Sequence, residues 1–140
     1  MREGARALFI AGSLPFVLLG FGHASLAFLD VWRPRTFTPA DDLVRRSMKK
    51  TGVAGYPRVN LWRAWLGFNI SHGMGVLVFG LVFFLIALYD FDLISSVPGL
   101  GAIAVGVPAA YFVLSLRFWF WGPALGSGIG LVLLSLGVAL

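Results

Sequence analysis

Cysteine is missing altogether from this 140-residue sequence. Its absence excludes disulfides, thiolate metal centres and a cysteine nucleophile, and it leaves the compartment open. Charge is scarce as well: 12% of residues are charged, where a soluble domain carries roughly a quarter. Acidic groups are the scarcer sign, six against eleven Lys and Arg. No apolar stretch holds a pair of carboxylates, so an acid–base dyad of that kind is excluded. The chain also lacks a phosphate-cradling glycine loop, H-E-x-x-H and G-x-S-x-G. No regular ladder of charges points to voltage sensing or an ordinary ion pore, and no internal repeat points to an inverted-repeat transporter.

What the chain has instead is apolar surface, with 59% hydrophobic residues. So short a soluble chain has too little interior to bury that much. A helix needs about 20 apolar residues to cross the hydrocarbon core of a bilayer. Four segments qualify: 7–29, 64–89, 97–116 and 123–140. Backbone groups in lipid must be satisfied internally, which selects helices or a closed barrel, and the alternating polar positions of a barrel are absent. The expected fold is therefore all-α: one transmembrane domain, 1–140, forming a four-helix bundle. The first span also carries the elements of a secretory leader: Arg2 and Arg6, an apolar run, then Ser25 and Ala27. It is read here as a retained span. Pro15 and Pro108 each remove a backbone donor and are expected to kink their helices.

Eight of the eleven basic residues fall in the loop 30–63, from Arg33 to Arg63. Between two apolar spans, their natural partner is an anionic lipid headgroup and not a nucleic acid. The loop predicts one amphipathic interfacial helix. Thr38 reads as its N-cap, Pro39 as its first residue, Asp41 as the end of a capping-box-like T-P-A-D, and Gly52 as its stop. Leu43, Val44 and Met48 make a small apolar stripe on a helix whose Arg45, Arg46, Lys49 and Lys50 are the expected headgroup contacts. Basic short loops stay cytoplasmic, so the loop 30–63 and Arg117 are expected inside and both termini outside, in the inner membrane of a cell; Arg2 and Arg6 alone would pull the other way. Trp32, Trp62, Trp65, Trp119 and Trp121 all lie near that same side, as an interfacial belt would.

Small residues spaced by four allow close helix approach. Gly122, Gly126 and Gly130 in the fourth span, and Ala102, Gly106 and Ala110 in the third, are the expected seams. The glycine stripe is alternatively a face for self-association or for another membrane subunit.

Polar side chains at membrane depth mark candidate chemistry. His23 in the first span, Asn69 and His72 in the second, and Asp30 at a span end can converge on one cluster if the two spans are neighbours. Three readings stand side by side. The cluster is an interhelical hydrogen-bond network. Or it binds a headgroup or cofactor, with His23 and His72 on a haem iron or a chlorophyll-type magnesium. Or a histidine carries protons in chemistry on a lipid.

The pattern F-G-H-A at 21–24, a basic loop, then W-R-A-W-L-G-F-N-I-S-H-G-M-G at 62–75 resembles small four-span bacterial inner-membrane proteins of unassigned function. The resemblance covers about the first two-thirds of the chain, implies the architecture and carries no catalytic residue. The expected function is a non-catalytic accessory or scaffold subunit of a larger membrane complex, holding lipid or pigment. The alternative is a small enzyme or binding protein for a lipid or isoprenoid, or a haem or pigment protein, centred on His23 and His72.

Overall fold

The computed structural model describes residues 2–140. Its elements run α1 Arg2–Leu29, α2 Asp42–Lys50, β1 Gly52–Val53, β2 Tyr56–Asn60, α3 Leu61–Tyr89, α4 Leu93–Ser96, α5 Leu100–Phe118 and α6 Trp121–Ala139. The fold is mostly helical, and α1, α3, α5 and α6 are each long and apolar enough to cross a membrane. Their ends differ from the sequence expectation by a few residues, chiefly because α1 and α3 begin earlier. Pro15 and Pro108 both sit inside unbroken helical assignments.

The chain forms two compact units: residues 2–19 with 76–140, and Gly20–Gly75. In the first unit, α5 and α6 pack with the start of α1 and the end of α3. Phe9, Phe16, Val76, Phe83, Ala87, Ile94, Ala104 and Leu134 form its buried centre. Aromatic rings meet there edge-on: Phe16 with Phe79 at 5.0 Å and Phe9 with Phe91 at 5.3 Å between centroids, the geometry that ring quadrupoles favour.

Glycine makes these contacts fit. A Cβ on Gly80 would stand 2.6 Å from the backbone nitrogen of Val17, and one on Gly130 would stand 2.3 Å from the Phe16 ring. Gly126 likewise faces Leu19. Two of the three glycines in the α6 stripe are thus seated against α1 of the same chain, whereas Gly122 meets only the ring of Phe120. The α5 seam differs from expectation. Gly106 has open space around it, and Ala102 and Ala110 are exposed. The buried face of α5 carries Ala104, Pro108 and Ser115 instead. Spacing four described both stripes equally well; only the small Ala104 and the compact Pro108 fall where neighbours come close.

At its start α1 carries Arg6, whose Nε donates to the carbonyl of Ala87 at 2.8 Å and whose NH2 group donates to that of Leu88 at 2.6 Å. These are among the last carbonyls of α3, which have no helical partner of their own. Arg2 pairs with Asp92 at 2.9 Å on the surface. Buried hydroxyls are satisfied locally, with Ser13 Oγ donating to Phe9 O and Ser127 Oγ to Pro123 O, each at 2.7 Å.

In the second unit, the end of α1 and the start of α3 carry the loop between them. There α2 begins later than predicted. Its N-cap is Asp41, which accepts from Leu43 N at 2.7 Å. Thr38 is drawn elsewhere: its hydroxyl points to Asp30 Oδ2 at 3.4 Å. The helix ends at Lys50, with Thr51 N donating to Ser47 O. Gly52 opens a short antiparallel hairpin that the sequence reading did not contain. Its turn uses Gly55 at φ +83°, a left-handed conformation suited to glycine.

Gly130→Ala and Gly73→Ala are each expected to cost about 2 kcal/mol, because the new methyl meets a ring or a backbone atom. Gly106→Ala, in open space on a helix, is expected to be neutral or to stabilise by about 0.5–1 kcal/mol. Unfolding in mild detergent checks the difference in sign.

Candidate functional site

Unit two brings three of the four predicted polar residues together. The rings of His23 on α1 and His72 on α3 lie edge to face with centroids 5.1 Å apart. Asn69, one turn before His72, is 1% exposed. Its Nδ2 donates to Trp65 O at 2.8 Å, which leaves its oxygen as an acceptor beside the His23 imidazole. Both helices have to approach closely for this. A Cβ on Gly73 would stand only 2.5 Å from the backbone nitrogen of Ala24. The glycine next to His72 and the alanine next to His23 thus set the spacing of the pair.

The fourth residue, Asp30, does something else. It lies just past α1, fully buried, and gathers the backbone of the following loop. Its Oδ1 accepts from Arg35 N at 2.9 Å and Thr36 N at 3.1 Å; its Oδ2 accepts from Phe37 N at 2.6 Å. Burial pushes its pKa up, but the N–H groups of Thr36, Arg35 and Phe37 and the Thr38 hydroxyl stabilise the anion more, and the net shift is below the usual 3.8. The carboxylate is therefore spent on the loop and is not turned toward an imidazole.

Sequence reasoning missed what the loop then does. Phe37, held by Asp30, lays its ring over His23 with centroids 4.4 Å apart. Trp65 Nε1 donates to the carbonyl of Phe37 at 2.7 Å and fixes it from the other side. Phe68 stacks along His72 at 6.0 Å and 14°. Trp62 is buried in the same unit. These two tryptophans thus turn inward, while Trp32, Trp119 and Trp121 are exposed. A signal was present in the sequence: Trp65, Phe68, Asn69 and His72 share one helical face. Phe37 has no periodic partner and could not be found that way.

The arrangement restricts the chemistry. A macrocycle held between α1 and α3 by both histidines needs a slot at the level of the rings, and the backbone contact of Gly73 with Ala24 fills that level. No group of three or more His, Asp or Glu among the described residues is placed to hold a metal ion. A shallow apolar groove of about 470 Å³ lies elsewhere, on α5 and α6, between Phe112, Gly128 and Val132; it offers no polar group for chemistry. The chain matches no protein-family model, no curated protein and no solved structure.

Asp30→Asn keeps one acceptor but turns an amide donor against the loop N–H groups, and is expected to cost about 2 kcal/mol. Because the folded pKa is the lower one, Asp30 contributes fully above the usual 3.8 and its contribution is lost as the pH falls through the depressed value. Protection of the amides of Arg35, Thr36 and Phe37, taken relative to their intrinsic exchange at each pH, should stay high from pH 7 to about 4 and fall below that. The variant should show no such step.

Proposed function

We propose that the protein is a non-catalytic multi-pass component of the inner membrane, an accessory or scaffold subunit that packs against larger membrane partners. The observation that carries this reading is that the polar cluster is engaged within the chain itself. The imidazoles contact each other, Phe37 covers His23, and Asp30 is committed to four donors of the loop. That is a latch between two helices and their connecting loop, in which the partly exposed imidazoles have no Asp30 carboxylate turned toward them. The wide outward faces of α1, α3, α5 and α6 are apolar, with Leu18, Val78, Val113 and Leu125 among the exposed side chains. Lipid or the apolar helices of a partner suit such faces equally. The basic loop 30–63 lies on the cytoplasmic side and both termini outside, following the excess of Lys and Arg.

Purification in gentle detergent tests the subunit reading: a partner membrane protein should co-elute in fixed ratio. A monomer that elutes alone contradicts it. His72→Ala should lower stability by about 1–2 kcal/mol, as loss of a packed polar contact in a helix seam does. A well-folded His72→Ala protein that has lost turnover of a lipid would favour an enzyme instead. Sidedness has its own check. The chain has no cysteine, so an impermeant thiol reagent added outside intact cells should label Asp92→Cys and spare Lys50→Cys.

A further inference from the structure

We infer that α2 and the β1–β2 hairpin form a rigid anchor for anionic phospholipid headgroups, clamped to the start of α3 by Asn60. The inference rests on the reading of α1 and α3 as membrane spans. Asn60 acts in two directions. Its Oδ1 accepts from Arg63 N at 3.0 Å and so caps the first turn of α3. Its Nδ2 donates to the carbonyl of Lys49 near the end of α2. Beside it, Leu61 N donates to Thr51 O at 2.9 Å. The C-terminus of α2 is thereby tied to the first turn of a span-length helix. A helix attached at that point is held beside the headgroup layer, where the charge of the lipid decides whether its apolar face seats.

Its surface matches that depth. No residue of α2 is buried. At 100° per residue Leu43, Ser47, Val44 and Met48 fall on one face, and Leu43 is 67% exposed with nothing in its own unit covering it. Arg46 and Lys49 occupy the opposite face, Lys50 borders Leu43 at the edge of the apolar one, and all three are exposed. The hairpin adds Tyr56 and Arg58, exposed and two residues apart on one face of β2. An aromatic and a cation side by side suit the interface.

The sign of the charge selects the occupant. All three carboxylates of the loop are already engaged: Asp30 by the loop N–H groups, Asp41 by Leu43 N, and Asp42 by Arg45 at 2.8 Å. The cations Arg46, Lys49, Lys50 and Arg58 remain to face phosphate. Anionic headgroups over an acyl layer meet both faces of α2 at once.

The test uses the full chain carrying one cysteine at a time, labelled with an environment-sensitive fluorophore, in nanodiscs of phosphatidylcholine with or without phosphatidylglycerol. A label at Ser47→Cys should become shielded, and quenched by a shallow lipid quencher, only when phosphatidylglycerol is present, and high salt should reverse this. A label at Lys49→Cys, across the helix from Ser47, should stay in water. Replacing Arg46, Lys49 or Lys50 by Gln should weaken phosphatidylglycerol enrichment about fivefold per charge. A label at Val113→Cys on α5 should report hydrocarbon in every lipid. If it does, while the Ser47 label stays aqueous or responds equally without phosphatidylglycerol, the anchor is refuted and the membrane reading stands. If the Val113 label is aqueous, the membrane reading fails and the anchor falls with it.

Discussion

Contact at glycine is the constraint on which the helical packing depends. Long helices that are apolar all round gain little from hiding from lipid, since a neighbouring helix is no greasier than an acyl chain. What remains is dispersion, which rewards only atoms at van der Waals distance. Gly80 against Val17, Gly126 against Leu19 and Gly130 against Phe16 bring α3 and α6 to α1 at that distance. The aromatic rings then fill what the glycines leave. Phe16 reaches Gly130 and meets Phe79 and Tyr111 as well. Shape is thus specified by a few positions without side chains and a few with large ones. Buried Ser13 and Ser127 return their hydroxyls to their own helices and ask nothing of a neighbour.

In residues 20–75 the governing element is a carboxylate. One buried Asp30 accepts from successive N–H groups of a loop that has no regular structure to satisfy them. This converts a flexible connection into a fixed one and delivers Phe37 onto His23. Trp65 closes the arrangement by taking the Phe37 carbonyl. The same close backbone approach that brings the histidines together also leaves no slot between them. Their adjacency therefore reads as part of the packing. The Asp30 carboxylate, which could have tuned an imidazole, is turned to the backbone instead.

The legible and the illegible parts of the chain separate on physical grounds. Apolar runs of about 20 residues are visible directly, and so the four long helices were placed within a few residues. His23, Asn69 and His72 were placed together because antiparallel helices of known rise bring equal depths together. Spacing alone places Asp30 in that cluster. Its capture by Arg35, Thr36 and Phe37 depends on the path of an irregular loop, which has no period to read. The start of α2 failed for the same reason: Thr38 fits an N-cap by residue type, but Asp30 competes for its hydroxyl. The hairpin was hidden because Gly52 serves equally as a helix stop and as a strand start, and two-residue strands leave no alternation. The α5 seam was misplaced because spacing four recurs along several faces of a helix rich in alanine and glycine.

The capping role of Arg6 bears on the sidedness of the chain. Counting of basic residues treats each as a free charge that resists translocation, and on that count Arg2 and Arg6 oppose the cytoplasmic placement of the loop 30–63. Arg6 has structural work of its own, and Arg2 has an exposed ionic partner. Arg6 supplies donors to Ala87 and Leu88, carbonyls that an apolar helix end cannot satisfy from within, and its charge lies at the negative end of the α3 dipole. Arg2 is paired with Asp92. The position of Arg6 answers to the needs of the helix end, so it carries less weight as a signal of sidedness. The cations of α2 stand in a different position. Arg46, Lys49 and Lys50 satisfy no helix end of a span, and Asn60 already closes the carbonyl that α2 offers to α3. Charges kept without an internal partner, on a helix fastened to a membrane-length helix, are best explained by what lies outside the chain.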